Sequence, residues 1–410
     1  MRPRLFLQHL KSEPNVIIAI MAFHQIINLF RGPFLAAYFI KTSADSLPDL
    51  SLYYIFSFAA IAVIHYFISR IGKTRHRIAI FRFGVIMNFF YFLALVFIKS
   101  AMIRYLAFFA LIHGFASSSY WMPLNLFIAN KVDNSHRTKF TVRQKILTST
   151  ISVVVPLLLG SIITATDYRR TAIIILIISF IQIILSFFIT PEPTHHLSRF
   201  NLKQTLRQLL KKSQVRRMAL VEFASGLCEG HSALDALVSV LIFQSFRTDV
   251  NLGLFTSLST VISMFALHIY GKYYKKRSDH KLVLITSFIP IFALLLLFVI
   301  RNNFTLVFFQ ICYITFASLI LLARDIRLYN LADSKLVSRD NQCEFLVLRE
   351  ISLDAGRVFG YLILFVAASF GGRTILNLSM ILFSCSMPFI ASQLRKIHKF
   401  DRTISPNESK

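Results

Sequence analysis

The sequence predicts an all-α, polytopic membrane protein of twelve transmembrane helices in two pseudo-symmetric six-helix bundles, and three observations predict it. Of 410 residues, 55% are hydrophobic and only 16% are charged, whereas soluble domains carry about 25% charged residues. Lys and Arg outnumber Asp and Glu by 45 to 19, and they gather in short intervals between long apolar runs. Twelve of those runs approach the roughly 20 residues a helix needs to cross a bilayer core. A net charge of +26 would by itself suggest nucleic-acid binding, so the placement of the charges decides how they are read. The 42 Phe against one Trp and 13 Gly are also unlike a soluble α/β core.

Taken in order, the spans fall near 16–40, 50–69, 78–98, 103–129, 146–165, 171–190, 218–243, 250–270, 282–300, 304–323, 346–370 and 373–394. The first follows Arg2, Arg4 and Lys11. It is too long for a signal-peptide core and no small-residue cleavage site follows it, so it reads as a retained span. The fourth, seventh and eleventh carry polar residues within the apolar run. Connections as short as Arg301–Asn303 and Gly371–Gly372 require antiparallel neighbours. The longest connection, 191–217, opens Pro191-Glu192-Pro193 and continues as a basic amphipathic stretch with Leu202, Leu206, Leu209 and Leu210 on one face. It predicts a cytoplasmic helix lying at the lipid surface. The domains are then 1–190, a central loop 191–217, 218–394 and a cytoplasmic tail 395–410.

With the N-terminus placed inside, thirty-five of the 45 basic residues fall in inside segments and eight in outside ones; Arg31 and Arg357 lie within spans. This is a strong positive-inside bias. It predicts a multi-pass plasma-membrane protein with both termini cytoplasmic. A weak repeat at an offset near 200 pairs Arg31-Gly32 with Glu229-Gly230, Phe115-Ala116-Ser117 with Phe316-Ala317-Ser318, and Gly72-Lys73 with Gly271-Lys272. Internal repeats of this kind build transporters with a midplane site.

These features resemble the Major Facilitator Superfamily over essentially the whole chain. Ser69-Arg70-Ile71-Gly72-Lys73 is similar to the Asp-Arg-x-Gly-Arg part of that family's loop between spans 2 and 3, with Ser69 in place of the acid. Val155-Pro156 and Gly160 echo its span-5 antiporter signature. Tyr120-Trp121 with Pro123 and Asn125, Gly226-Leu227-Cys228-Glu229-Gly230, and Arg349-Glu350-Ile351-Ser352-Leu353-Asp354-Ala355-Gly356-Arg357 look like a bacterial subgroup of twelve-helix permeases. The resemblance implies that spans 1, 4, 7 and 10 line a central cavity and that spans 2, 5, 8 and 11 form walls close enough to gate it.

A charge at mid-bilayer costs about 2.5–3.5 kcal/mol on insertion scales, so an intramembrane charge faces protein or water and marks function. In span 1, His24, Asn28 and Arg31 share a face. Arg31 has two readings, a substrate-anion anchor or a structural partner for an acid of span 7. In span 7, Glu222, Ser225, Glu229 and Ser232 fall on one face at i, i+3, i+7 and i+10, with His231 and Asp235 on another. Glu229, Glu222 and Asp235 are the candidates to carry a coupling proton; the alternative for Glu229 is a permanent lock to an Arg. Glu350, Asp354, Arg357 and Tyr361 share a face of span 11, and Asp354 with Arg357 is either a self-neutralising i, i+3 pair or a gating pair. Arg70 and Lys73 join Glu350 as further gating candidates. His113, Ser117, Tyr120 and Trp121 of span 4 complete the candidate substrate-binding set. His24 and His113 stand out among five intramembrane His (with His65, His231 and His268), since His changes charge near neutral pH.

The four Cys (Cys228, Cys312, Cys343, Cys385) show no metal-ligand spacing. No GxxxxGK[ST], HExxH or GxSxG occurs, and the sequence calls for no cofactor or metal and no enzymatic role. The expectation is a monomeric secondary active transporter that moves a small organic solute by alternating access with a coupling proton, drug or metabolite efflux being favoured. An uptake permease for organic anions or peptides, and a non-transporting membrane sensor, are the alternatives. A membrane-embedded lipid enzyme would need convergent catalytic residues that the sequence does not offer. The partners expected are the solute, the proton and the lipid bilayer, and no nucleic acid.

Overall fold

The computed structural model describes residues 13–43, 46–72, 76–131, 134–190, 202–273, 279–332, 334, 336–337 and 341–404. All twelve predicted spans are present. Spans 1 to 6 run Pro14–Thr42, Leu47–Arg70, Arg77–Ile98, Ala101–Asn125, Arg143–Ala165 and Tyr168–Ser186. Spans 7 to 12 run Ser213–Phe246, Asp249–Lys272, Lys281–Ile300, Asn303–Ala332, Gln342–Phe370 and Thr374–Ile397. The described residues contain no strand. A helix satisfies its backbone polar groups within one segment, which lipid demands. The Phe excess follows from the same solvent: Phe97, Phe292, Phe304 and Phe370 point outward, Phe370 being 82% exposed.

The chain forms two compact units. The first contains residues 1–49, 56–199 and 248–257. Its spans 1, 3, 4 and 6 contribute to an apolar cluster that includes Ile17, Ile20, Phe81, Val85, Leu124 and Phe127, with Ile183 and Leu185 packed against it. The second contains residues 50–55, 200–247 and 258–410. Its tightest crossing joins spans 7 and 11. A Cβ on Gly356 would lie 1.9 Å from the Phe223 carbonyl oxygen, and one on Gly226 would lie 2.3 Å from that of Leu353. Small residues at such a crossing let two membrane helices meet backbone to backbone.

Four spans depart from regular α-helix: span 4 opens on a 3-10 stretch, Lys99–Tyr105, span 9 is interrupted at Ser287–Phe288, and spans 1 and 7 depart around charged residues. In span 1 the run Phe30–Phe34, Phe-Arg-Gly-Pro-Phe, is a π-turn with Pro33 inside it. Proline has no N–H to give and its ring crowds the carbonyl four residues back, so one wide turn absorbs the defect. Span 7 breaks outright. Helix Ser213–Cys228 ends, Glu229 is extended, His231 adopts a left-handed φ of 64°, and a second helix Ala233–Phe246 begins. The predicted face that joined Glu222 and Ser225 to Glu229 and Ser232 therefore does not exist beyond Cys228, because the helical period stops there. The amphipathic helix is present as Leu202–Lys211, with one difference. It packs against spans 7 and 11 and buries Leu202 and Leu209, so its apolar face is covered by protein rather than by lipid.

Candidate functional site

The break in span 7 frees backbone groups in a setting where each must find a partner. Span 10 supplies the Tyr313 hydroxyl, which donates to the Cys228 carbonyl at 2.9 Å. Span 11 supplies Arg357, whose Nη2 donates to the Gly230 carbonyl at 3.3 Å. The Tyr361 hydroxyl donates to the adjoining carbonyls of His231 and Ser232, at 3.1 and 3.0 Å. Ser232 caps the second half-helix, accepting from the Asp235 N–H, while the Asp235 carboxylate accepts from the His231 N–H, both at 3.2 Å. This reciprocal cap gives Asp235 a structural task. Arg357 also bonds Asp354 at 3.2 Å, so the pair that the sequence left open is formed and reaches into the break.

Glu229 stands at the break and turns to span 10. Both of its carboxylate oxygens accept from the guanidinium of Arg324, Oε2 from Nη1 and Oε1 from Nη2 at 3.1 Å. A bidentate pair of this kind fixes direction as well as charge. Arg324 Nη1 is also 3.5 Å from Oε2 of Glu222, which is fully buried on the preceding helix. Arg349 of span 11 approaches the same Glu222 oxygen at 3.4 Å and bonds Glu350 at 2.5 Å. Asp325 Oδ1 is 2.9 Å from Arg324 Nη2. Four carboxylates thus surround two guanidinium groups. Neither Glu222 oxygen accepts a hydrogen bond among the described residues. Buried polar atoms in this condition are rare and call for an explanation.

Arg324 and Asp325 escaped the sequence reading, which ended span 10 at residue 323, and Arg349, within the predicted span 346–370 and its Arg349–Arg357 motif, was counted among the inside basic residues and given no site role. Arg324 is buried inside the long helix Asn303–Ala332, and Arg349 lies in the helix Gln342–Phe370. The visible signal was the apolar spacing that continues beyond Arg324 at Ile326, Leu328 and Leu331.

The first unit holds a second cluster. Arg31 is buried in the π-turn, donating to Asn28 Oδ1 at 2.7 Å and to Asn88 Oδ1 at 3.2 Å, with its guanidinium 5.8 Å from the Tyr91 ring centre. His113 meets the other side of this group, its ring 6.2 Å from that of Tyr91. Asn88 and Tyr91 were not anticipated. Nearer the N-terminus of span 1, His24 stacks on Tyr120 at 3.7 Å and meets Trp121 edge-on at 5.3 Å. The candidate residues of unit 1 therefore divide between Asn28, Arg31 and His113 on one side and His24, Tyr120 and Trp121 on the other. Ser117 is buried one helical turn from each group on span 4. Arg70 is exposed at the end of span 2, beside a buried Ser69 that donates to the His65 carbonyl at 2.6 Å. Lys73 lies outside the described residues.

Twelve spans, with helices interrupted around buried charges, are the architecture of a solute transporter. The profile of the Major Facilitator Superfamily matches residues 18–325, and the chain belongs to that family. It is 25% identical over 334 residues to the uncharacterized protein YqgE of Bacillus subtilis strain 168, covering 80% of this chain and 76% of that one. Its fold is similar to the crystal structure of the human organic anion transporter MFSD10 (TETRAN), with a TM-score of 0.62 at 12% identity, covering 96% of this chain and all of the other. It is also similar to a bacterial homologue of the iron transporter ferroportin in the inward-facing state, with a TM-score of 0.64 at 15% identity over 96% of this chain and 99% of the other. Family membership brings a small-molecule substrate and embedding in a membrane.

Proposed function

We propose that this chain is a proton-coupled secondary transporter of the plasma membrane, with both termini cytoplasmic, that exports a small organic solute by alternating access. The observation that carries the coupling is the position of Arg324, chelated by Glu229 and 3.5 Å from Glu222. One guanidinium serves two carboxylates. When Glu229 takes a proton it loses its charge, and Arg324 turns to Glu222, which accepts no hydrogen bond while Glu229 holds the arginine. Because Glu229 sits on the break of span 7, this exchange pulls directly on the backbone joining the two half-helices. The excess of acids over arginines also suits a cationic, lipophilic solute, whose charge would replace the proton. The positive-inside count supports the orientation.

A second reading has its own observation. Arg31, with Asn28, Asn88 and Tyr91 around it, presents the charge and donors that a carboxylate or phosphate requires, and it favours uptake of an organic anion. Everted vesicles with an imposed pH gradient separate the two. Export coupling predicts gradient-driven accumulation of lipophilic cations that Glu229→Gln uncouples and Arg31→Gln spares. Accumulation of organic anions that Arg31→Gln abolishes selects the second reading. Gradient-independent transport that survives Glu229→Gln removes the coupling role.

A further inference from the structure

Away from both clusters, a cavity of 340 Å³ opens between the ends of spans 9 and 12, lined by Leu284, Ser392, Arg395 and Lys396. Spans 9 to 12 alternate in direction, so the start of span 9 and the end of span 12 lie at the same membrane face. The lining has one apolar wall, one hydroxyl and two cations, and no acid. Ser392 spends its proton on the Phe389 carbonyl at 2.7 Å, which leaves its oxygen lone pairs to accept. Arg395 Nε is buried and has no hydrogen-bond partner among the described residues. Such a donor costs free energy until an acceptor arrives. Within one helical turn of Leu284 and Ser392 along the chain, large apolar residues are exposed: Ile285 is 69% exposed, Phe288 54% and Phe389 42%. Water-soluble anions would meet this apolar rim, whereas a phospholipid lays its chains along it and its phosphate at the cations.

We propose that this cavity is a binding site for the headgroup of an anionic phospholipid. Basic pockets between spans at one leaflet bind such headgroups. The lipid's phosphate meets Arg395 Nε and the Lys396 ammonium, and its acyl chains run along Ile285, Phe288 and Phe389. The site is independent of the solute and of the coupling ion.

The test uses the full-length protein, purified and incubated with phosphatidylglycerol or phosphatidylcholine of matched chains. Native mass spectrometry then counts the lipid retained on delipidation. Phosphatidylglycerol is retained on the order of thirtyfold more strongly, as two cations at a lipid surface provide. Arg395→Gln with Lys396→Gln brings retention down to the phosphatidylcholine level. Arg395→Lys preserves most of it, and Arg216→Gln, at an exposed position where span 7 starts, leaves it unchanged. Equal retention of the two lipids overturns the proposal, as does undiminished retention in the double variant, or displacement of the lipid by inorganic phosphate alone. A photoreactive phosphatidylglycerol on the unaltered protein gives a readout that does not depend on folding of the variants. It labels peptides containing Leu284 and Ser392, and labelling confined to other spans refutes the site.

Discussion

Arg324 is the residue on which most of the second unit's charge depends. Its side chain is 2% exposed and touches Glu222, Glu229 and Asp325. Removing one partner of a buried ion pair leaves the other charged and unsolvated, at a cost of about 3–5 kcal/mol. Arg324→Leu strands two buried carboxylates at once, so we expect it to unfold far below the unaltered protein in a detergent melting assay. Glu222→Gln removes a carboxylate that accepts no hydrogen bond, and it is expected to melt within about 1 kcal/mol of the unaltered protein, the range of an ordinary polar substitution. Equal destabilisation by the two would mean that Arg324 is not shared. At the same scale Glu229→Gln keeps a hydrogen-bond acceptor but no charge. Its expected signature is a loss of gradient-driven transport with exchange across the membrane retained, measured as counterflow in vesicles.

The seventh span shows what a single element adds. Its break is held by hydroxyls and a guanidinium borrowed from spans 10 and 11, and each lost donor exposes a carbonyl in a dry setting. Tyr361→Phe leaves the His231 and Ser232 carbonyls without their hydroxyl, a penalty of about 1–3 kcal/mol. Hydrogen exchange at residues 229–232 is the direct measure, and protection equal to that of the unaltered protein would refute the clamp. The Gly226–Gly356 crossing is more demanding, since Gly356→Ala drives a methyl group into the Phe223 carbonyl. It is expected to abolish the monodisperse folded peak, while Gly271→Ala, with nothing within 4 Å, leaves it unaltered. This element also shows why the sequence is only partly legible. Hydropathy located all twelve spans, because crossing a bilayer is a demand on composition. It identified Glu222, Glu229 and Arg357 because charges in apolar runs stand out. It placed Arg324 outside the membrane for the same reason, since an apolar window closes at a charge whether or not the helix continues, and it gave Arg349, at the start of span 11, no site role. The break after Cys228 has no proline to announce it; it depends on Tyr313 and Tyr361 arriving from distant parts of the chain. In span 1 the opposite holds, and Pro33 marks the π-turn that carries Arg31.

On the scale of the whole molecule, span 8 is divided between the units, its first turns belonging to the first and the rest to the second. Two contacts keep those first turns in place. Lys41, at the end of span 1, pairs with Asp249 at 2.5 Å, and Asp249 is only 6% exposed. Below it spans 5 and 8 meet backbone to backbone, a Cβ on Gly253 lying 2.3 Å from the Pro156 carbonyl oxygen and one on Gly160 the same distance from that of Asp249. Under the proposed alternating access, we expect this end of span 8 to part from spans 1 and 5 once per cycle. The glycine contacts have no polarity to switch and little side chain to disengage, so they form and release without a specific trigger. The ion pair is then the element that sets how often the end opens. A half-exposed pair is worth up to about 1 kcal/mol, or roughly a fivefold change in the open fraction. Leu252, fully buried in the turn after Asp249, reports that opening when replaced by Cys in a Cys385→Ser background, because the other three Cys are buried. Asp249→Asn and Lys41→Gln are each expected to raise its reaction rate with a membrane-impermeant thiol reagent by roughly two- to fivefold. The exchange Lys41→Asp with Asp249→Lys restores the original rate. Rates unmoved by the single substitutions, or an exchange that fails to restore them, would show that the backbone contact alone closes this end.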